Sequence, residues 1–181
     1  APTRAAVRSY LKEFLSDRRV VEIPPLLWQP ILHGFVLTTR PSRSAHAYAQ
    51  IWTEEGSPLV AITRRQAEKV QTALGSDVIV DWAMRYGQPS ISDRLAALQA
   101  AGCDRILLAP LYPQYSSATT ATVFDAAAAA LAEMRWQPSL RVLPPYYDDP
   151  AYIGALETSV AAGLAALPFV PDTIIASFHS L

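Results

Sequence analysis

The chain has 181 residues, of which 51% are hydrophobic, and its formal net charge is −1 at pH 7. This is enough apolar material for the core of an α/β domain, and the near-neutral charge gives no general attraction to nucleic acid. One cysteine excludes an internal disulfide or a cysteine-ligated cluster within the chain, which fits a cytoplasmic protein.

The first 75 residues have the periodicity of helices. Apolar residues recur on one face after a good N-cap residue, two prolines can open a helix, and a glycine can end one. The pattern predicts helices after Thr3, from Pro25, at 42–51 and at 59–74.

From residue 76 onward, apolar runs alternate with helical patterns. Strands are predicted at 77–84, 105–111, 140–144 and 173–178. Helices are predicted at 90–101, 119–134 and 150–166. Nearly every strand residue is apolar, as in strands buried on both faces, and the intervening helices imply parallel crossovers. We therefore predict an α/β fold with a Rossmann-like, parallel four-stranded sheet flanked by helices, preceded by a mostly helical N-terminal segment.

Polar and aromatic groups follow each predicted strand. They are Arg85 and Tyr86, then Tyr112, Tyr115 and Ser116, then Tyr146, and finally His179. In a parallel sheet these strand ends meet at one edge, where open α/β sheets bind their ligands. Because no glycine-rich phosphate loop follows any strand, a dinucleotide site is not expected. The edge suits a flat, largely apolar ligand held by a few polar groups.

Each of these residues also has a structural interpretation. A strand-end tyrosine can simply cover the core, Arg85 can be an ion-pair partner, and His179 can be a packed side chain. Asp149, directly before Pro150, is better explained as a helix N-cap than as a metal ligand. The convergence of four strand ends on one edge favours a functional interpretation of the set.

Three segments carry a resemblance to a known family. Residues 111–120, with the sequence LYPQYSSATT, resemble the tyrosine loop of the ferrochelatases. Residues 177–181, SFHSL, resemble the histidine signature of the same family, and 84–86, MRY, its strand-end arginine–tyrosine pair. The resemblance covers essentially the whole chain and includes the protoporphyrin and coproporphyrin enzymes. It implies a type II chelatase fold.

The resemblance also implies a division of the chain. Residues 1–75 correspond to the helical segment of the first lobe, whose first strand is missing, and 76–181 to a parallel βαβ lobe that ends at the histidine strand. The C-terminal half of the family, with an acidic residue facing the histidine, is absent, so this fragment alone is expected to be inactive. A bacterial-type cytoplasmic location is expected, and peripheral membrane contact stays open.

The activity implied by the resemblance is the insertion of ferrous iron into protoporphyrin IX, the last step of heme biosynthesis. His179 would abstract protons, deliver the metal, or both, with Tyr112 near the metal's path. Porphyrin would be held or shaped by Arg85, Tyr86, Tyr115, Ser116 and Tyr146. The expected partners are protoporphyrin IX, ferrous iron and the absent lobe, with no nucleic acid.

Iron would be a substrate, so no resident cofactor is required. Ser117 stands where cluster-bearing relatives have a cysteine, and no iron–sulfur cluster is expected from this segment. Two alternatives remain: a chelatase that inserts cobalt or nickel into a related tetrapyrrole, and a non-catalytic tetrapyrrole-binding lobe. The tyrosine loop argues against the first, metal selectivity would test it, and turnover would test the second.

Overall fold

A computed structural model of the protein describes residues 2–177. The helices of this part are α1 (Arg4–Ser16), α2 (Pro25–Ile31), α3 (Leu37–Ile51), α4 (Pro58–Leu74), α5 (Ile91–Ala100), α6 (Thr122–Ala132) and α7 (Pro150–Ala165). The strands are β1 (Arg105–Leu108) and β2 (Ser139–Val142). The structure is therefore helical up to α4, and helices alternate with strands from α5 onward.

Side-chain caps begin several of these helices. The Thr3 hydroxyl accepts a hydrogen bond from the Ala6 amide at 3.2 Å, as the sequence predicted. The carboxylate of Asp149 accepts one from the Ala151 amide at 2.8 Å, so its interpretation as an N-cap is confirmed. Each cap pairs a backbone donor that the first helical turn leaves free.

The second and third predicted helices form one continuous rod. A π-helical segment, Leu32–Val36, joins α2 to α3, and the Leu37 amide donates to the Leu32 carbonyl within it. Proline lies inside both flanking helices, at Pro30 and Pro41, and each proline removes one donor of the regular ladder. The sequence predicted a break between the helices because a π-turn has no simple sequence pattern.

The helical part of the chain has its own apolar core. α1 packs along α3, and the buried residues are Val7, Leu11, Leu32, Val36 and Leu37. Trp28 closes one side of this core, since its ring packs against it and its indole N–H donates to the Leu15 carbonyl at 2.7 Å. The core thus fixes α1 against the rod formed by α2 and α3.

The sheet is parallel and is connected through α6. Arg105 lies opposite Ser139 and Leu108 opposite Val142, which makes β1, α6 and β2 a βαβ unit. Helices α5 and α6 pack together on one face of the sheet. The core between them consists of Ile91, Leu95, Val123, Ala127 and Ala130. The predicted α/β class with a parallel sheet is confirmed.

The predicted four-stranded sheet is reduced to two strands within residues 2–177. Segments 77–84 and 173–177 form no strand and pair with neither β1 nor β2, and residue 178 lies outside the described part. The Gln71 amide instead bonds the first segment, accepting from the Val80 amide and donating to the Val78 carbonyl. Apolarity alone does not specify a pairing partner, and without one a segment is not a strand.

Several apolar side chains that the pattern placed in the interior are exposed. Leu107 in β1 is 62% exposed, because α5 and α6 cover only the opposite face of the sheet. Leu26 in α2 is 91% exposed, and Phe35 is also largely exposed. Among the described helices, none has the length and apolarity to cross a bilayer.

Leu32 is completely buried in the helical core, whereas Leu26 on the adjoining helix faces solvent. We expect Leu32→Ala to lower the free energy of unfolding by about 2–5 kcal/mol, through lost burial and the cavity that remains. Leu26→Ala, the matched control, should change it by about 0.5 kcal/mol or less. Urea unfolding of both variants checks this, and equal losses would contradict the packing described here.

Candidate active site

Arg85 and Tyr86 lie at the junction between the helical part and the sheet. The Arg85 guanidinium donates to the Asp17 carboxylate at 2.5 Å, and the Tyr86 hydroxyl donates to the same oxygen, Oδ2, at 3.0 Å. Asp17 directly follows the last residue of α1. The side chains of Arg85 and Asp17 are only 17% and 13% exposed, so this ion pair is largely shielded from water.

A second carboxylate of α1 binds the same turn. Glu13 lies one helical turn before Asp17, and its carboxylate accepts from the Gly87 amide at 3.0 Å. Gly87 has φ +82°, a left-handed conformation that glycine adopts without strain. Two acidic residues on one face of α1 therefore bind three consecutive residues of the 85–87 turn.

Aromatic contacts also hold the Tyr86 ring in place. Its ring meets Phe14 edge-on at a centroid distance of 5.1 Å and Tyr10 in the same manner at 6.5 Å. On the Tyr86 ring face, the guanidinium carbon of Arg85 lies 4.3 Å from the centroid, a cation–π contact. The Tyr86 ring is thus held by helix α1 and by its own neighbour in sequence.

The tyrosines around this junction are held in their neutral form. Burial raises the pKa of Tyr10 to about 12, with a further contribution from the adjacent Tyr48. Burial also raises the pKa of Tyr86 to about 12. Burial raises the pKa of Tyr112 as well, although the positive charge of Arg85 acts in the opposite direction. At neutral pH these phenols can donate and accept hydrogen bonds but do not act as bases.

The loops that follow β1 and β2 meet at one edge of the sheet. The Tyr146 amide donates to the Pro113 carbonyl at 3.0 Å, which ties the second tyrosine-bearing loop to the first. Tyr112 and Tyr115 are 39% and 54% exposed, so both rings are accessible at this edge. Tyr146 itself packs edge-on against Tyr152 at 5.4 Å. The predicted convergence of these two strand ends is observed.

The Ser116 side chain is held by contacts within its own loop. It is buried, and its hydroxyl lies 2.6 Å from the Thr119 hydroxyl at the start of a π-helical segment, Ser117–Ala121, that leads into α6. Thr122 then bonds back to the Thr119 carbonyl at 2.7 Å. These contacts fix the end of the tyrosine loop, and a role of Ser116 toward a ligand stays a prediction.

A second ion pair bridges the same two parts of the chain. Arg19, two residues after Asp17, pairs with Asp125 of α6, and both side chains are about half exposed. Its second nitrogen lies 3.0 Å from the other Asp125 oxygen, which makes the pair bidentate. This pair anchors α1 to α6 but contacts neither Arg85 nor Tyr86.

The residue that the sequence placed at the centre of catalysis, His179, lies outside the described residues. Within residues 2–177, no group of three or more His, Cys, Asp or Glu side chains could hold a metal ion. His33 and His46 are exposed on the rod formed by α2, the π-helical segment and α3.

The observed arrangement combines a paired cation, aromatic faces and neutral phenols beside the loop that follows β1. Guanidinium and tyrosine groups bind flat aromatic ligands that carry acidic substituents, by stacking and by hydrogen bonds. Among the described residues the Nε atoms of Arg85 and Arg94 and the Oγ1 atom of Thr120 are buried without a hydrogen-bond partner. Unpaired polar atoms of this kind are uncommon in folded proteins.

Sequence reasoning missed the contribution of α1. The apolar periodicity of that helix was predicted, but Tyr10, Glu13, Asp17 and Tyr48 were not singled out. The signal available was two carboxylates four residues apart beside an aromatic pair with the same spacing, Tyr10 and Phe14. That pattern is also found on many solvated helices, so it could not identify a distant partner such as Arg85.

A family model described as Ferrochelatase matches residues 1–181. The chain is 56% identical over 180 residues to a ferrochelatase of Rhizobium meliloti (strain 1021), covering 97% of this chain and 53% of that protein. It is 57% identical over 179 residues to one from Rhodopseudomonas palustris (strain TIE-1), covering 97% and 52%. The chain spans about half the length of the curated relatives it matches.

Because the folded state raises the Tyr10 pKa from 10 to about 12, it keeps this proton at pH values where the unfolded chain loses it. Tyr10 should therefore make its full contribution to the free energy of unfolding below pH 10, and this contribution should be lost as pH rises through 12. We expect this part of the alkaline loss to be absent in Tyr10→Phe. Urea unfolding at stepped pH checks it, with Tyr147→Phe as the exposed-phenol control. Parallel pH curves for wild type and Tyr10→Phe would contradict the shift.

Proposed function

The chain belongs to the ferrochelatase family, and from that membership we propose that the protein inserts ferrous iron into protoporphyrin IX to form protoheme. The observation that carries the proposal is the junction at the sheet edge. There the Arg85–Tyr86 pair, fixed by Asp17, adjoins the loop that bears Tyr112 and Tyr115.

Protoporphyrin IX is flat and apolar, with carboxylate groups at its rim. The accessible rings of Tyr112 and Tyr115 provide apolar contact area for the macrocycle. Tyr146 would stack at its edge, since the backbone bond to Pro113 holds that loop beside the tyrosine loop. Arg85 and Tyr86 would bind and shape the ring through hydrogen bonds and stacking.

Two pyrrole protons must leave the macrocycle as the metal enters, so a base is required. Burial raises the pKa of both Tyr86 and Tyr112, which keeps these phenols neutral and leaves them hydrogen-bonding rather than basic roles. We assign proton abstraction, metal delivery, or both, to His179, because a neutral imidazole can take a proton or bind ferrous iron near neutral pH. Tyr112 would guide the metal or the protons toward it.

The proposal treats iron as a substrate and needs no resident cofactor. Distortion of the ring, which exposes the nitrogen lone pairs, requires a second wall opposite the tyrosine edge. We propose that a further lobe supplies this wall. We also propose a cytoplasmic location with peripheral contact to a membrane, supported by the exposed side chains of Leu26, Leu27 and Phe35.

His179→Ala in the full-length protein should reduce iron insertion by about 100-fold or more, the contribution expected of a positioned acid–base group. Loss of porphyrin fluorescence, matched to protoheme formation, measures it. The control is His46→Ala, an exposed histidine of α3 that should leave turnover unchanged. Cobalt and nickel run in parallel test the alternative chelatase activities. Turnover of the His179 variant at the wild-type rate would remove His179 from the mechanism.

The two exposed tyrosines of the loop should have separable effects. Tyr112→Phe removes only a hydroxyl, so turnover should fall severalfold at unchanged porphyrin affinity if that hydroxyl guides metal or protons. Tyr115→Ala removes contact area, so porphyrin affinity should fall by about tenfold, for a loss of roughly 1.4 kcal/mol. Fluorescence titration and saturating-substrate turnover measure both. Weaker porphyrin binding by Tyr112→Phe with wild-type turnover at saturation would reverse the assignment.

A further inference from the structure

Asp17 is the most heavily used polar side chain at the junction. Its Oδ2 atom accepts from the Arg85 guanidinium at 2.5 Å and from the Tyr86 hydroxyl at 3.0 Å, while Oδ1 accepts from the Arg19 amide at 2.8 Å. Both carboxylate oxygens are thus engaged, and the carboxylate belongs to the residue that ends α1.

We propose that Asp17 is a positioning residue that sets the orientation and the charge of the Arg85–Tyr86 pair toward the tetrapyrrole. The inference rests on the proposed function, because Arg85 and Tyr86 are the groups through which Asp17 acts.

Asp17 fixes the geometry of the two donors that meet at its Oδ2 atom. Arginine and tyrosine side chains can adopt several rotamers, and a shared acceptor selects the one in which both donors meet at a single oxygen. In this pose the guanidinium also lies over the Tyr86 ring, whose edge contacts Phe14. Without the carboxylate, the ring contacts remain but nothing described here fixes the direction of the guanidinium.

Asp17 also affects the charge of the proposed site. A divalent cation must enter a site that already contains the Arg85 cation, and repulsion between them is strong where water is excluded. Asp17 lies against Arg85 and compensates its charge, with only 13% of the carboxylate side chain exposed. Arg85 can therefore contribute hydrogen bonds and stacking without presenting a full positive charge to the incoming metal.

A purely stabilising role would not require this residue. Shielded ion pairs contribute little net stability compared with apolar groups of the same size, although removal of one partner is costly. The Arg19–Asp125 pair joins the same two parts of the chain and does not touch Arg85 or Tyr86. It therefore offers a comparison for tethering without a direct contact to the Arg85 guanidinium, although the Arg19 amide also donates to Asp17.

The test uses Asp17→Asn in the full-length protein, a change that keeps the shape and removes the charge. Porphyrin affinity is measured by fluorescence titration without iron, and kcat and the KM values for porphyrin and ferrous iron are measured at steady state. We expect the KM for ferrous iron to rise and porphyrin binding to weaken, each by roughly tenfold, as for coupled residues in contact. Asp17→Glu, which retains the charge, should recover part of both losses.

Asp125→Asn breaks the other ion pair between the two parts of the chain and is the control; it should alter thermal stability and change both KM values much less than Asp17→Asn does. A double variant, Asp17→Asn with Arg85→Gln, should be no worse in ferrous-iron KM than Arg85→Gln alone, because the charge to be compensated is gone. Additive effects in the double variant would overturn the inference.

Each remaining outcome is decisive. If Asp17→Asn unfolds more easily yet its folded fraction shows wild-type porphyrin affinity and both wild-type KM values, Asp17 is a structural residue and the inference is wrong. If the wild-type protein forms no protoheme at all, the proposed function is wrong and this inference falls with it. Wild-type turnover together with an unaffected Asp17→Asn variant would overturn the inference alone.

Discussion

The Asp17–Arg85 ion pair is the interaction on which the arrangement of the site depends. Asp17 directly follows the first helix, and Arg85 lies 68 residues later in the chain, after segment 77–84. The two parts have separate apolar cores, so neither core by itself sets the orientation of α1 toward the tyrosine loop. Specific polar contacts must set this orientation. Asp17 and Glu13 provide such contacts to three consecutive residues.

The energetics of such a pair explain why it determines geometry rather than stability. Removing two charges from water costs nearly as much as their attraction returns, so the pair adds little to the free energy of unfolding. A misdirected Arg85 would, however, leave Asp17 shielded and unpaired, which is strongly unfavourable. The pair therefore penalises alternative arrangements of the junction. The aromatic contacts of Tyr86 with Phe14 add to this selectivity because ring pairs prefer particular angles.

Local patterns predicted the fold well where local interactions decide it. Helix positions followed from apolar periodicity, and Thr3 and Asp149 cap their helices as their positions indicated. The parallel pairing of β1 and β2 followed from the helix between them. The π-turn at Leu32–Val36 and the partner of segment 77–84 did not follow, since each depends on contacts that are distant or lack a sequence signal.

The candidate site likewise combines residues that local patterns predicted with contacts that they did not. Tyr112 and Tyr146 could be selected because the ends of β1 and β2 converge in a parallel sheet. The strand predicted before Arg85 and Tyr86 does not form, and Asp17 rather than the sheet holds these two residues. The ion-pair interpretation of Arg85 was also open, and the structure shows that the pair exists. The identity of its partner was not predictable: Asp17 is one of 16 acidic residues, and no spacing rule links it to residue 85. Long-range polar pairing is a property of the packed chain rather than of any segment.

The protonation states at the junction divide the chemistry between residues. Burial raises the pKa of Tyr10, Tyr86 and Tyr112, so these phenols stay neutral, and a guanidinium does not give up its proton in a protein. The Asp17 carboxylate, for its part, already accepts three hydrogen bonds. The groups described at this edge can therefore bind, orient and compensate charge, whereas proton removal requires another group. In the proposed mechanism that group is His179. Binding, orientation and charge compensation then belong to the residues at this edge, and acid–base chemistry belongs to His179.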